Sequence, residues 1–144
     1  MGSRLECGFG IEPLVSKPIV GDRYVVQPGL FPQAAPEAPG TWDAVTMLAV
    51  LEHIPAGGQA AIAEACHRLL RTGGRVVITV PSPAVDRILA VLKALRLIDG
   101  MSLEEHHGFR PGDTEQIFPA PRFALVCRRH FQFGLNNLFV FEKR

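Results

Sequence analysis

From Trp42 onward the apolar positions follow two periods in turn. Residues 44–48 form a short apolar run suited to a buried parallel strand. After Leu51, Glu52, His53, Ile54 and Pro55, apolar residues recur at Ile62, Cys66, Leu69 and Leu70, which share one face at helical spacing. That spacing predicts a helix with Arg71 in its last turn, ended by Gly73 and Gly74. Residues 75–80 (RVVITV) then read as a β-branched strand closed by Pro81. Ser82 suits the cap of a second helix, with Pro83 at its first position. The stripe of that helix is Val85, Ile88, Leu89, Leu92 and Leu95, and Gly100 stops it. A polar loop over 101–122 leads to two further strands, 123–128 and 138–142. Gly134, Leu135, Asn136 and Asn137 offer the turn between them. Strand-helix-strand with a right-handed crossover predicts that 44–48 and 75–80 are adjacent and parallel.

Residues 1–41 behave differently. Pro13, Pro18, Pro28, Pro32, Pro36 and Pro39 punctuate them, and only 9–11 and 24–26 are apolar enough to suggest strands. The expected organisation is one domain over 1–144, with an irregular N-terminal part (1–41) and a compact α/β core (42–144).

Composition narrows the class. At 144 residues a single domain is the natural size. A 47% hydrophobic and 20% charged balance is that of a soluble globular chain rather than a disordered one. A net charge of +1 argues against a nucleic-acid surface, and the short basic run Arg128, Arg129, His130 reads as a solvated strand end. Cys7, Cys66 and Cys127 form no CxxC pair, so neither a zinc framework nor a disulfide scaffold is expected. The most apolar stretch, 88–98, is too short to span a bilayer and contains Lys93 and Arg96. No signal peptide precedes it, and a cytoplasmic location is expected.

Three segments together carry a resemblance. They are 42–54 (WDAVTMLAVLEHI), 68–81 (RLLRTGGRVVITVP) and 131–142 (FQFGLNNLFVFE). Their order and spacing resemble class I S-adenosylmethionine-dependent methyltransferases: the fourth strand with its following Glu-His, the approach to the fifth strand, and the closing hairpin. The resemblance covers about residues 8–144. It implies an α/β, Rossmann-like methyltransferase sandwich, with a mostly parallel sheet and a C-terminal antiparallel hairpin.

By the same match, Gly8, Phe9, Gly10, Ile11 and Glu12 look like the end of the family's second strand. The resemblance makes Glu12 the acceptor for the cofactor ribose hydroxyls, a carboxylate facing the ligand crevice from a strand's carboxyl end. On this alignment the family's first strand and glycine-rich turn belong before Glu12, where eleven residues stand. The resemblance then implies an N-terminally truncated member without its first strand-helix unit, with weak or absent cofactor binding. A second registration reads residues 5–10 (LECGFG) as the glycine motif itself, although Pro13 and Pro18 oppose the helix that should follow.

The remaining site expectations rest on the same resemblance. Gln27, Pro28, Gly29 and Leu30 would lie near the adenine, and a plain turn explains the Pro-Gly pair equally well. Leu48, Ala49 and Val50 would line the same pocket, with Glu52 at its edge. His53 could act as general base on a substrate hydroxyl, or could simply hold backbone where strand becomes helix. Some quinone-pathway O-methyltransferases carry a metal-binding Glu-x-x-Glu-His here. Ala49 replaces the first Glu, so no metal is assigned. His106, His107 and Phe109 fall on the substrate side.

Two functions follow. One is methyl transfer from S-adenosylmethionine to a small or lipid-like acceptor. The other is a non-catalytic methyltransferase-like binding or scaffold protein. A homodimer is expected, because a missing central strand would leave unpaired edges for a second copy to cover, with residues 1–41 contributing.

Overall fold

The computed structural model of the protein describes residues 6–85, 88, 95–96 and 109–144. The second expected helix lies mostly outside them. By its contacts the chain divides into two compact units, Met1–Ala38 and Pro39–Arg144, close to the compositional change at Trp42.

The first unit holds a three-stranded sheet. Strand β1 (Gly8–Glu12) and strand β3 (Tyr24–Pro28) run parallel, and β2 (Ile19–Val20) pairs antiparallel on the far side of β3. Both apolar pieces of the proline-rich segment are thus strands. Gly8 and Gly10 are extended within β1 and pair with Tyr24 and Val26, instead of forming a turn that opens a helix. The second registration therefore fails. The physical reason is the one visible in the sequence: prolines remove N–H donors where a helix would need them.

The second unit is built on a four-stranded sheet in the order β4-β5-β7-β6. Here β4 is Trp42–Leu48, β5 is Leu70–Pro81, β6 is Phe123–Phe131 and β7 is Asn136–Lys143. β4 and β5 are parallel, with Ala44 beside Arg75 and Leu48 beside Thr79. β7 runs antiparallel to both β5 and β6. The expected parallel pair with its helical crossover is what forms, and helix α1 spans Ala56–Leu69. A short helix α2 (Thr114–Ile117) precedes β6.

The core lies on one face of this sheet. Val76, Ile78 and Val80 alternate inward on β5, as Phe139 and Phe141 do on β7. Against them pack Ile62, Ala63, Cys66 and Leu69 from α1, together with Phe118 and Phe123. The rings of Phe118 and Phe141 stack at 5.0 Å, and Phe118 meets Phe123 edge-on at 5.2 Å.

Two boundaries differ from expectation. α1 ends at Leu69, and Leu70 is already extended, fully buried and paired with Trp42. The helix end is closed from a distance. Lys143 Nζ donates to the carbonyls of His67 (2.6 Å) and Leu70 (2.8 Å). Gly73 and Gly74 therefore do not stop the helix. They serve an irregularity of the β4–β5 ladder, where the register shifts between Trp42 and Ala44. Gly73 takes φ +75°, and a Cβ on Gly74 would come within 2.8 Å of Arg71 O and 3.0 Å of Trp42 O. Arg71 leaves the helix and pairs with Asp43 (2.7 Å) at the surface. The hairpin turn likewise sits earlier, at residues 132–135, because Asn136 and Asn137 are already in β7.

Candidate functional site

In the first unit, the parallel register sets Glu12 directly beside Pro28 at the carboxyl ends of β1 and β3. The structure thus brings together Glu12 and the segment Gln27, Pro28, Gly29, Leu30. Glu12 is exposed, and its Oε1 accepts the N–H of Leu14 (3.0 Å), which fixes the carboxylate at the strand end. Gly29 has φ +135°, and a Cβ there would stand 2.7 Å from the Ala34 Cβ, so glycine is required. Leu30 is exposed. An accessible acceptor beside a tight glycine turn suits the paired hydroxyls of a ribose.

In the second unit, the carboxyl end of β4 makes an abrupt change of direction. Ala49 follows Leu48 in the left-handed region, φ 54°. Its N–H donates to both Thr79 O (3.0 Å) and Thr79 Oγ1 (3.1 Å), a double anchor from the neighbouring strand. This bend projects Leu48 and Val50, both exposed, and feeds a 3-10 turn over Leu51–His53. Leu51 and Glu52 point inward and are buried, whereas His53 is half-buried. The Glu52 side chain, 2% exposed, is thus turned from solvent while its neighbour His53 reaches it. Sequence reasoning missed Thr79 as the anchor. An alternating strand residue with a hydroxyl, near the carboxyl end of its strand, was the available hint.

Phe109 is half-buried, and His106 and His107 lie outside the described residues. Among the described residues no group of three His, Cys, Asp or Glu side chains could hold a metal ion. No helix among them is long and apolar enough to cross a membrane.

A groove of about 580 Å³ lies elsewhere in this unit, between α1 and the segment leading into β6. Gln59, Glu64, Asp113, Gln116 and Arg122 line it with apolar side chains that include Ile117 and Phe123, and none of the expected site residues does. Its charged groups mostly satisfy one another. Arg122 bonds Glu64 and holds that carboxyl below its ordinary range, and Asp113 accepts the Arg110 N–H. Burial pushes the Cys66 thiol up to about 12, which marks it as inert packing in the core and not a nucleophile.

Comparison with known proteins agrees with this geometry. A family described as "Methyltransferase domain" matches residues 6–130. The ubiquinone biosynthesis O-methyltransferase of Azotobacter vinelandii is 38% identical over 115 residues, covering 71% of this chain and 49% of that protein. The protein of the same name from Colwellia psychrerythraea is 34% identical over 99 residues, 66% of this chain and 39% of that one. The Pseudomonas aeruginosa protein is 47% identical over 47 residues, 33% and 19% of the two chains. The chain therefore spans half or less of the length of these relatives. Among solved structures, the PH0226 protein of Pyrococcus horikoshii superposes with a TM-score of 0.60 at 10% identity, over 85% of this chain and 62% of that one. TnmH gives 0.53 at 17% identity, over 76% and 32%. Likeness at such low identity speaks for the fold alone, but the family match runs through both units, and the chain belongs to the class I methyltransferase-domain family.

Proposed function

We propose that this chain takes part in methyl transfer from S-adenosylmethionine to a hydroxyl of a small or lipid-like acceptor. The observation that carries the reading is the bend at Ala49. Its double anchor to Thr79 fixes the turn that presents His53 at the carboxyl end of a parallel strand, where open α/β sheets bind ligands. The residues fit the cofactor in kind. In the first unit Glu12 offers an accessible carboxylate for the ribose hydroxyls beside the glycine turn at Gly29.

When bound, the sulfonium supplies an already activated methyl group. The chain's own task is to orient the acceptor and take its proton. His53 is the proposed base, because it is the titratable side chain of that turn that reaches solvent, and general-base assistance is worth roughly 10²–10⁴ in rate. Glu52, buried next to it, is proposed to hold the turn. His106, His107 and Phe109 are proposed on the acceptor side. The shared name of the relatives favours an O-linked acceptor. Three free cysteines, one of them exposed, suit a reducing compartment such as the cytoplasm.

Calorimetric titration with S-adenosylmethionine and S-adenosylhomocysteine tests the reading. Binding is expected at micromolar or weaker affinity, and Glu12→Ala should weaken it further. His53→Gln should leave binding intact and lower turnover of a hydroxyl-bearing acceptor by about 10²–10⁴. Undetectable binding of both ligands at millimolar concentration favours the non-catalytic scaffold instead, and an unchanged affinity in Glu12→Ala removes Glu12 from the site.

We further propose that the chain is a homodimer. Among the described strands β4 pairs on one side only, and an open parallel edge invites a second copy. Light scattering coupled to size exclusion at several concentrations tests this; a monomer at high micromolar concentration rejects it.

A further inference from the structure

The turn between β6 and β7 has a form that neither the core nor the methyl-transfer reading calls for. Phe133 stands at its tip fully exposed, at 107% of the reference area. Its backbone is in the left-handed region (φ 57°), as is that of Gln132 before it (φ 50°). A bulky side chain is sterically disfavoured there, and this ring buries nothing in return. The turn is nevertheless braced. The N–H groups of Gly134 and Leu135 donate to Phe131 O and Gln132 O, both at 3.1 Å, and Ser82 N–H donates to Leu135 O at 2.8 Å. The Asn136 side chain also donates to that of Gln132. A strained, well-held turn thus offers an aromatic ring to the outside.

Its surroundings have one chemical character. Phe131, two residues back, is also exposed. Arg129 shares the face of β6 that carries Phe131, by the two-residue period of a strand, and is exposed with no ion-pair partner among the described residues. His130 is exposed beside it. Arg128, by contrast, is engaged by Glu115 (2.9 Å) and lies over the Phe139 ring. Register places this turn at the sheet end that carries Leu48: Asn136 stands between Pro81 and Phe131, and Thr79 beside Leu48.

We propose that this turn docks on an anionic lipid surface, with Phe133 and Phe131 entering the interface and Arg129 meeting the headgroups. Two rings on a projecting turn enclose no pocket, so a small molecule would gain little there. Aromatic side chains prefer the boundary between water and hydrocarbon, and a basic neighbour selects negatively charged headgroups. The docking would set the ligand-binding end of the sheet against the membrane.

Vesicle flotation with the full chain tests this, using phosphatidylcholine alone and phosphatidylcholine mixed with phosphatidylglycerol. Binding is expected to the mixed vesicles and to fall at high salt. Phe133→Ser should weaken it at least about tenfold, and Arg129→Gln about fivefold, with unchanged circular dichroism. Phe133→Trp keeps the test available should the serine variant fold poorly: the fluorescence it adds at the tip should shift to the blue with anionic vesicles. Absence of flotation, equal flotation with neutral vesicles, or an unshifted emission from the Phe133→Trp variant overturns the proposal. So does a Phe133→Ser variant that floats like the parent but self-associates less, which would assign the tip to contact between copies.

Discussion

The two units solve the same problem with unequal means. In Pro39–Arg144 a twelve-residue strand, a fourteen-residue helix and four phenylalanines close a core in which Phe139, Ile78 and Cys66 lose all contact with water. In the first unit, no residue from 6 to 38 is fully buried. β1 and β3 keep most of their side chains half-covered and both residues of β2 are exposed, which is near the lower limit of what a small sheet can sustain. Yet Glu12 and Gly29, two of the most specific ligand-binding candidates, are on that weaker unit. The proposed ribose contact and the buried core thus lie on different parts of the chain, and substitutions should separate them.

The sharpest test uses two cysteines as built-in reporters. Cys7 is exposed in the first unit, and Cys66 is buried in the second, its thiol raised to about 12. A thiol reagent should label Cys7 at the rate of a free peptide and Cys66 roughly a thousandfold or more slower, since Cys66 must wait for global opening. Comparable rates would dissolve the contrast. Next, Phe139→Ala should destabilise the second unit by about 3–5 kcal/mol in denaturant unfolding, whereas Val26→Ala in β3 should cost about 1 kcal/mol or less. Equal costs would mean that the first unit has a core after all. Gly74→Ala should cost about 1–3 kcal/mol, because the added methyl meets two carbonyl oxygens that belong to backbone and cannot yield easily. At the small end, Ala49→Gly should stabilise. The left-handed backbone costs alanine roughly 1–2 kcal/mol, and the extra freedom of unfolded glycine returns about 0.5–1 of it. A melting temperature that falls would show that the Ala49 methyl makes a packing contact worth more than its strain.

The same contrast explains what could be read in the sequence. The strands flanking α1 were legible because one buried face imposes a clean period on Val76, Ile78 and Val80. The helix end was not. Leu70 fits the helical stripe and the inward face of a strand equally well, and the decision is made by Lys143, which no local pattern connects to it. Gly73 and Gly74 signalled a break correctly but not its kind, since a helix stop and a ladder irregularity require the same residue. The hairpin turn was misplaced by a similar ambiguity: Asn136 and Asn137 carry turn propensity, while Gln132 and Phe133, which adopt positive φ, carry none. At the candidate site, the sequence could name Glu52 and His53 but not their burial. That difference arises from a bend at Ala49, which Thr79 anchors across the sheet through both its carbonyl and its hydroxyl.

Strand β7 is the last described strand in the chain, yet it sits in the interior of its sheet, between β5 and β6. The order of synthesis therefore opposes the order of assembly. While the ribosome is still extending the chain, β5 can already pair with β4, but the flanks of β5 and β6 that face β7 have no partner, so those backbone groups stay unpaired. When residues 136–143 emerge, one strand completes two ladders, delivers Phe139 and Phe141 to the core and brings Lys143 to the end of α1. Closure of this sheet should thus be a late event of high contact order, in which β7 joins the β4–β5 pair to β6.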